Sequence, residues 1–356
     1  MRRVAVLLAL SALALSTAAG CSQSLETGGD AGPSAKVALL LPDRNTTRYE
    51  AGDQPYFAQK LSELCPGCEV DYRNAEQSAE TQLQQAQDAL ARGAKVLVIS
   101  PVDSVAAGEI VVAAKAKGVP VISYDRLVLK AAVDYYVSFD NAKVGSLQAA
   151  ALLQALGTKA SAGEILWING SPPDNNATLF KQGAHAGLDG KVRVAAESDT
   201  DGWNPDNARA WTARILPTLR GRTIVGVYAA NDGTAGAAIA AMRAAGLPQM
   251  PVTGQDAETT ALQRILVGDQ YMTVYKALRT EAETAAALAN DLVRGKRPAA
   301  PATVDNGAGQ VPSILLDPVT VTRDTIASTV VKDGFVTPSA LCAGAYADAC
   351  RAAGIG

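Results

Sequence analysis

From residue 36 onward, short apolar runs alternate with longer stretches of helical spacing, and this alternation restricts the chain to a parallel α/β architecture. The runs 36–41, 96–99, 119–123, 135–139, 165–168 and 224–228 are mainly apolar, β-branched or aromatic, with Val252-Thr253 as a shorter one. Continuously apolar runs bounded by Gly and polar residues suit strands covered on both faces. Between them, 77–92, 106–117, 143–156, 206–219, 233–245 and 259–267 carry the apolar spacing of helices. Strands and helices in turn predict βαβ units.

A short internal repeat sharpens this. Residues 96–103 followed by 119–125 match 225–232 followed by 250–256, with Asp103 and Asp125 22 positions apart and Asp232 and Asp256 24 apart. Two similar halves follow, each a doubly wound sheet, with a cleft between their facing strand ends.

The first 20 residues have Arg2-Arg3, an apolar stretch over 4–15 and small residues up to Gly20. That is the form of a secretory leader, too short for a typical spanning helix. Ala18-Ala19-Gly20 before Cys21 is similar to a bacterial lipobox, with Ala18 where Leu is usual, so Cys21 is expected to carry lipid. Residues 21–35 are small and polar and read as a flexible tether. Removing 1–20 takes away two Arg and no acid, moving the net charge from -3 to -5. With 5% aromatics and no basic patch, the chain is not expected to bind nucleic acid.

Cys65, Cys68, Cys342 and Cys350 remain, an even number that favours disulfides outside the cytoplasm. Local pairs, Cys65 with Cys68 and Cys342 with Cys350, are the simplest of three connectivities. Cys65-Pro66-Gly67-Cys68 follows a helix-like segment and leads into a strand, whereas a redox pair wants its first thiol at a helix N-terminus.

Catalytic patterns are lacking. The single His185 sits in a helix-like run with no metal or triad spacing, and no phosphate loop or dinucleotide fingerprint follows a strand. Hydrogen-bonding side chains gather at strand ends and loops instead: Arg48 with Tyr49, Asp125 with Arg126, Asp174 with Asn175 and Asn176, Asn231 with Asp232, Asp256 and Lys276. Asp125 and Arg126 serve either as a ligand-binding pair or as a local salt bridge. Helix capping explains one polar residue over 174–176, not three in a row. A sugar needs carboxylates, amides and cations for its hydroxyls and flat apolar faces for its C–H groups, which Tyr49 and Trp203 offer.

These motifs, SYDR at 123–126, YYVSFDNAKVG at 135–145, GSPPDNNATLF at 170–180, TDGWNPDNA at 200–208, ANDGTAGAAI at 230–239, TGQDAE at 253–258, MTVYK at 272–276 and VVKDGF at 330–335, resemble one family. It is the type I periplasmic binding proteins, in particular the D-xylose receptors of ABC importers, over residues 36–337. The resemblance implies two α/β lobes joined by a three-crossover hinge, 36–141 plus 277–305 and 142–276 plus 306–338, with 339–356 as an added tail. The implied sugar contacts are Arg48, Asp125, Arg126, Asp174, Asn176, Asn231, Asp256 and Lys276, with Tyr49 and Trp203 stacking. Tyr49 replaces the family's common Trp, and its hydroxyl is expected to make the pocket wetter or open it to a related aldose; Arg44 is expected to be solvated. The expected protein is a lipid-anchored, extracytoplasmic, monomeric receptor for D-xylose or a related aldose. It needs no cofactor or metal and delivers to an ABC permease and its ATPase. A sugar sensor for a membrane kinase or chemoreceptor, and a carbohydrate-active enzyme using Asp125 and Asp174, are the alternatives.

Overall fold

Strand β1 (Ala35–Leu41) starts a half built from β2 (Cys68–Asn74), β3 (Ala94–Ile99), β4 (Val121–Tyr124) and β5 (Tyr135–Phe139). Helices α1 (Gln54–Leu64), α2 (Ala79–Ala91) and α3 (Gly108–Ala116) connect them. The computed structural model describes residues 34–355; the expected leader, Cys21 and most of the tether lie outside them. Ser78 caps α2 by accepting the Thr81 N–H, which starts this helix two residues later than its apolar spacing suggests. All strand pairs from β2 through β1, β3 and β4 to β5 are parallel. Strands β4 and β5 are wholly buried, which is why they read as unbroken apolar runs.

The second half repeats the plan. It runs through α4 (Asn141–Leu156), a one-turn α5 (Lys159–Ala162), β6 (Glu164–Ile168), α6 (Asn175–Leu188), β7 (Arg193–Ser198), α7 (Pro205–Ile215), β8 (Ile224–Ala229), α8 (Asp232–Ala244), α9 (Thr259–Leu266) and β9 (Met272–Tyr275). Strand β6 lies between β7 and β8, and parallel bridges Val227 to Val252 and Gln255 to Val274 continue the order to β9. Val252-Thr253 is thus a bridge rather than a full strand. Both halves show the order second, first, third, fourth, fifth, so the short repeat reflects a shared topology. Strand ends at the boundary where that order reverses face the cleft.

After β9 the chain crosses back. Helix α10 (Leu278–Val293) buries Ala282, Ala285, Ala286, Ala289 and Leu292 against Leu39, Leu41, Phe57 and Leu61 of the first half. Strands β10 (Ala302–Asp305) and β11 (Gln310–Leu316) form an antiparallel hairpin, and β11 pairs in parallel with β5. The expected limit at 305, which gives all of 306–338 to the second lobe, is corrected by this, because β11 belongs to the first sheet. Asn306 donates to the carbonyls of Val128 and Ala131, tying the hairpin turn to the first half. The chain passes over only at Asp317-Pro318, after which β12 (Val319–Thr322) pairs with β9.

The C-terminal segment is packed rather than loose. One-turn α11 (Pro338–Leu341) and α12 (Ala347–Ala352) bring Leu341, Cys350 and Ile355 against Leu262, Ile265 and Leu266 of α9 and Val321 of β12. Both local disulfides, Cys65–Cys68 and Cys342–Cys350, are formed. Among the described residues no helix is long and apolar enough to cross a membrane.

Candidate functional site

The polar groups singled out above sit at strand ends or in the first turn after them. Strand β1 leads into a loop where Asp43 accepts the Thr46 N–H at 2.9 Å, and Arg48 and Tyr49 open the next turn. Asp125 follows β4 with φ of 57°, and Asp256, its partner in the repeat, has φ of 101°. Asp is among the few non-glycine residues that tolerate positive φ, so each can end a strand and aim its carboxylate across the sheet edge. Asp174 and Asn231 cap α6 and α8, accepting N–H groups of Asn176 and Thr234 at 2.8 and 3.0 Å.

The ten implied sugar-binding residues, from Arg48 to Lys276, line one cavity between the two sheets, whereas Asn175 and Asp232 do not; the Asp232 carboxylate is instead taken up by the Glu258 N–H, Gln270 and Thr273. Thr46, Phe180 and Gln255 complete the cavity wall and were missed. Phe180 was legible in principle, since it lies four residues after Asn176 and so on the same helix face. Thr46 and Gln255 lie in irregular backbone, where no periodicity marks an inward side chain. Arg44 lies outside the cavity, exposed and paired with Glu50 and Glu76.

Arg48 anchors the first half of the site. Its Nε and Nη2 donate to both Asp53 oxygens at 2.8 and 2.7 Å, Nη1 to Asp125 Oδ1 at 2.9 Å and Nη2 to Glu281 Oε2 at 2.6 Å. Four of the five guanidinium protons are engaged, so one remains for the cavity. The Tyr49 hydroxyl donates to Asp125 Oδ2 at 2.8 Å. Its proton is therefore used inside the wall, on Asp125, rather than directed at the cavity. The guanidinium carbons of Arg48 and Arg126 lie 5.4 and 5.6 Å from the Tyr49 ring centre, so this ring already has cationic company.

Groups from both halves meet here. Arg126 pairs with Asp174 Oδ2 at 2.9 Å and with Asp43 Oδ2 at 3.1 Å. Asn176 donates from Nδ2 to the Asp125 carbonyl at 3.1 Å and accepts from Asn141 Nδ2 at 2.8 Å. Lys276 stands 3.5 Å from Asp125 and 3.6 Å from Asp256. Trp203 donates from its indole to Asp174 Oδ2 at 2.9 Å and meets Phe180 edge to face at 6.2 Å. A Cβ on Gly170 would fall 2.0 Å from that indole ring, so only glycine leaves it room.

The electrostatics separate the acids. Burial opposes ionisation of Asp125, but Arg48, then Lys276 and Arg126, outweigh it and hold the carboxyl below the usual range. Burial raises Asp174, only partly offset by Arg126. Burial likewise pushes Glu281 up to about 8 against the pull of Arg48, with Asp125 and Asp53 adding to the rise. Among the described residues no group of acids, His or Cys has the arrangement of a metal site. The cavity offers fixed acceptors, a few donors and two aromatic edges, a set suited to gripping a neutral polyhydroxyl compound.

Residues 37–297 match the family described as periplasmic binding protein domain. The chain is 39% identical over 312 residues to the D-xylose-binding periplasmic protein of Escherichia coli K12, spanning 86% of this chain and 92% of that protein. It is 31% identical to the multiple sugar-binding periplasmic receptor ChvE of Rhizobium radiobacter, over 84% of this chain and 90% of the relative. An ABC transporter solute-binding protein from Clostridium phytofermentans, solved with bound β-D-glucose, matches with a TM-score of 0.79 and 29% identity. That match covers 86% of this chain and 99% of the other. Fold, topology and these matches agree, and the chain belongs to the periplasmic binding protein family in its type I form.

Proposed function

We propose that this protein is an extracytoplasmic receptor that closes two lobes over one monosaccharide, D-xylose ahead of other aldoses, and delivers it to an ABC permease and its ATPase. The observation that carries this reading is the convergence of Asp125, Asn176, Asn231, Asp256 and Lys276 from both sheets on one cavity edged by Phe180 and Trp203. The relative named for D-xylose favours a pentose, and the glucose-bound neighbour argues that other aldoses be tested beside it. Hydrogen bonds to charged groups contribute about 1.5–3 kcal/mol each, so three or four offset the cost of association and reach roughly micromolar affinity. Asp125, kept ionised by its cations, accepts hydroxyl protons rather than delivering one, which suits holding and not turnover. The lobes are taken as 36–141 with 277–316, and 142–276 with 317–355.

Calorimetric titration of the mature protein with xylose, ribose, arabinose, glucose and galactose tests the reading. Xylose should bind most tightly; no heat with any of the five would sink it. Lipid on Cys21 is part of the proposal, supported by the residues before it. Cys21→Ser should move the protein from the membrane to the soluble fraction, and retention on the membrane would refute the anchor.

A further inference from the structure

Two acceptors in the cleft have no hydrogen-bond partner: Gln255 Oε1 and the adjacent Asp256 Oδ1. Both residues are buried, 3% and 4% exposed, and both line the cavity. Buried polar side-chain atoms in folded proteins are nearly always bonded, because an unmade bond forfeits the hydration given up on burial. The neighbours are otherwise engaged. Asn231 Oδ1 accepts from the Thr234 N–H and hydroxyl at 3.0 and 2.8 Å. Lys276 Nζ reaches Asp256 Oδ1 only at 3.6 Å, an ion-pair distance too long for a hydrogen bond. The Gln255 backbone is fixed by its bridge to Val274 and by its carbonyl, which accepts the Asp232 N–H at 2.9 Å. Its backbone is therefore pinned at both points, although it lies outside the regular strands.

We infer that Gln255 is a further ligand contact and specificity determinant of this cleft, reading together with Asp256 two neighbouring hydroxyls of one neutral ring. The inference rests on the sugar-receptor reading above and refines its substrate class. Two adjacent acceptors need two adjacent donors, and a vicinal diol supplies both. A ring deoxygenated or O-methylated at either carbon leaves one acceptor bare. A uronate brings an acceptor-only carboxylate towards carboxylate and amide oxygens that need donors. Gln255 also carries an NH2 group, so it can donate to the same hydroxyl that a purely accepting carboxylate beside it cannot serve.

The test is calorimetry of the mature protein and of Gln255→Leu with D-xylose and its 2-, 3- and 4-deoxy analogues, with Gln255→Met as a second variant should the first fail to fold. Xylose affinity should fall about tenfold or more in the variant. One deoxy analogue, penalised about tenfold by the parent protein, should lose most of that penalty in the variant, because its missing hydroxyl no longer has a partner to leave bare. Variant affinity for xylose within about threefold of the parent, or an unchanged penalty for all three analogues, overturns the assignment of Gln255 alone. A parent protein that takes up none of these compounds overturns the sugar reading itself.

Discussion

Arg126 and Asp256 contribute to the cleft in different ways, and their removal should separate affinity from stability. Arg126 is the cation for both Asp43 and Asp174, all three buried. Arg126→Ala strands two carboxylates and is expected to cost about 3–5 kcal/mol as well as weakening sugar binding at least tenfold. Asp256 Oδ1 has no hydrogen bond to lose, and Lys276, 3.6 Å away, keeps Asp125 as a second partner, so Asp256→Ala should weaken binding comparably while lowering the melting temperature less. Thermal melts beside titrations check both, and unchanged affinity in both variants would count against the site. Glu281 adds a pH dependence. Its folded carboxyl titrates at about 8, above the ordinary carboxylate value of 4.5, so the folded state holds the extra proton between those limits. Its contribution to stability is complete below about 4.5 and disappears as pH rises through about 8. Glu281→Gln should flatten the fall in melting temperature over that window, and an identical pH profile in the variant would refute the role. Asp125 and Arg126 were legible because they end an apolar run. Glu281 was not, since it meets Arg48 from 233 positions away, inside a helix whose sequence reads as ordinary.

At the scale of elements, α4 and α6 decide where the second lobe presents its ligands. A Cβ on Gly183 would fall 2.0 Å from the Ala142 carbonyl, and one on Gly145 would fall 2.0 Å from that of Phe180. This close approach seats the first turn of α6, with Asn176 and then Phe180, at the cavity. Gly183→Ala should push the helices apart, costing roughly 1–3 kcal/mol and lowering sugar affinity. A chemical-denaturation midpoint equal to that of the parent would show the contact to be slack. The two α-helical periodicities were visible in the sequence, but the facing glycines were not, because nothing local says which helix lies against which. The β10–β11 hairpin failed for a related reason. Its strands have half-exposed, mixed residues, and only pairing with β5 assigns them to the first sheet.

The molecule as a whole is drawn together across the cleft by contacts beyond the cavity. The Ser104 N–H donates to the Pro173 carbonyl at 2.9 Å, its hydroxyl accepts the Asn175 N–H at 3.1 Å, and the Gln77 amide donates to the Gly202 carbonyl. These bonds join the two halves only when they are near, so ligand and latch should favour the same closed form. Small-angle scattering should show a smaller radius of gyration on adding xylose, and no change at saturating sugar would argue against hinge closure. The sequence by itself determined the α/β class, the two-fold repeat and the identity of most cleft side chains, since strand burial and strand-end polarity are local patterns. Only the tertiary structure decided that Arg48 is held by three acids, that β11 belongs to the first sheet and that Gln255 and Asp256 face the cavity with acceptors unmet. Those outcomes depend on contacts between residues far apart along the chain, and a hydrogen-bond deficit exists only once every neighbour has been placed.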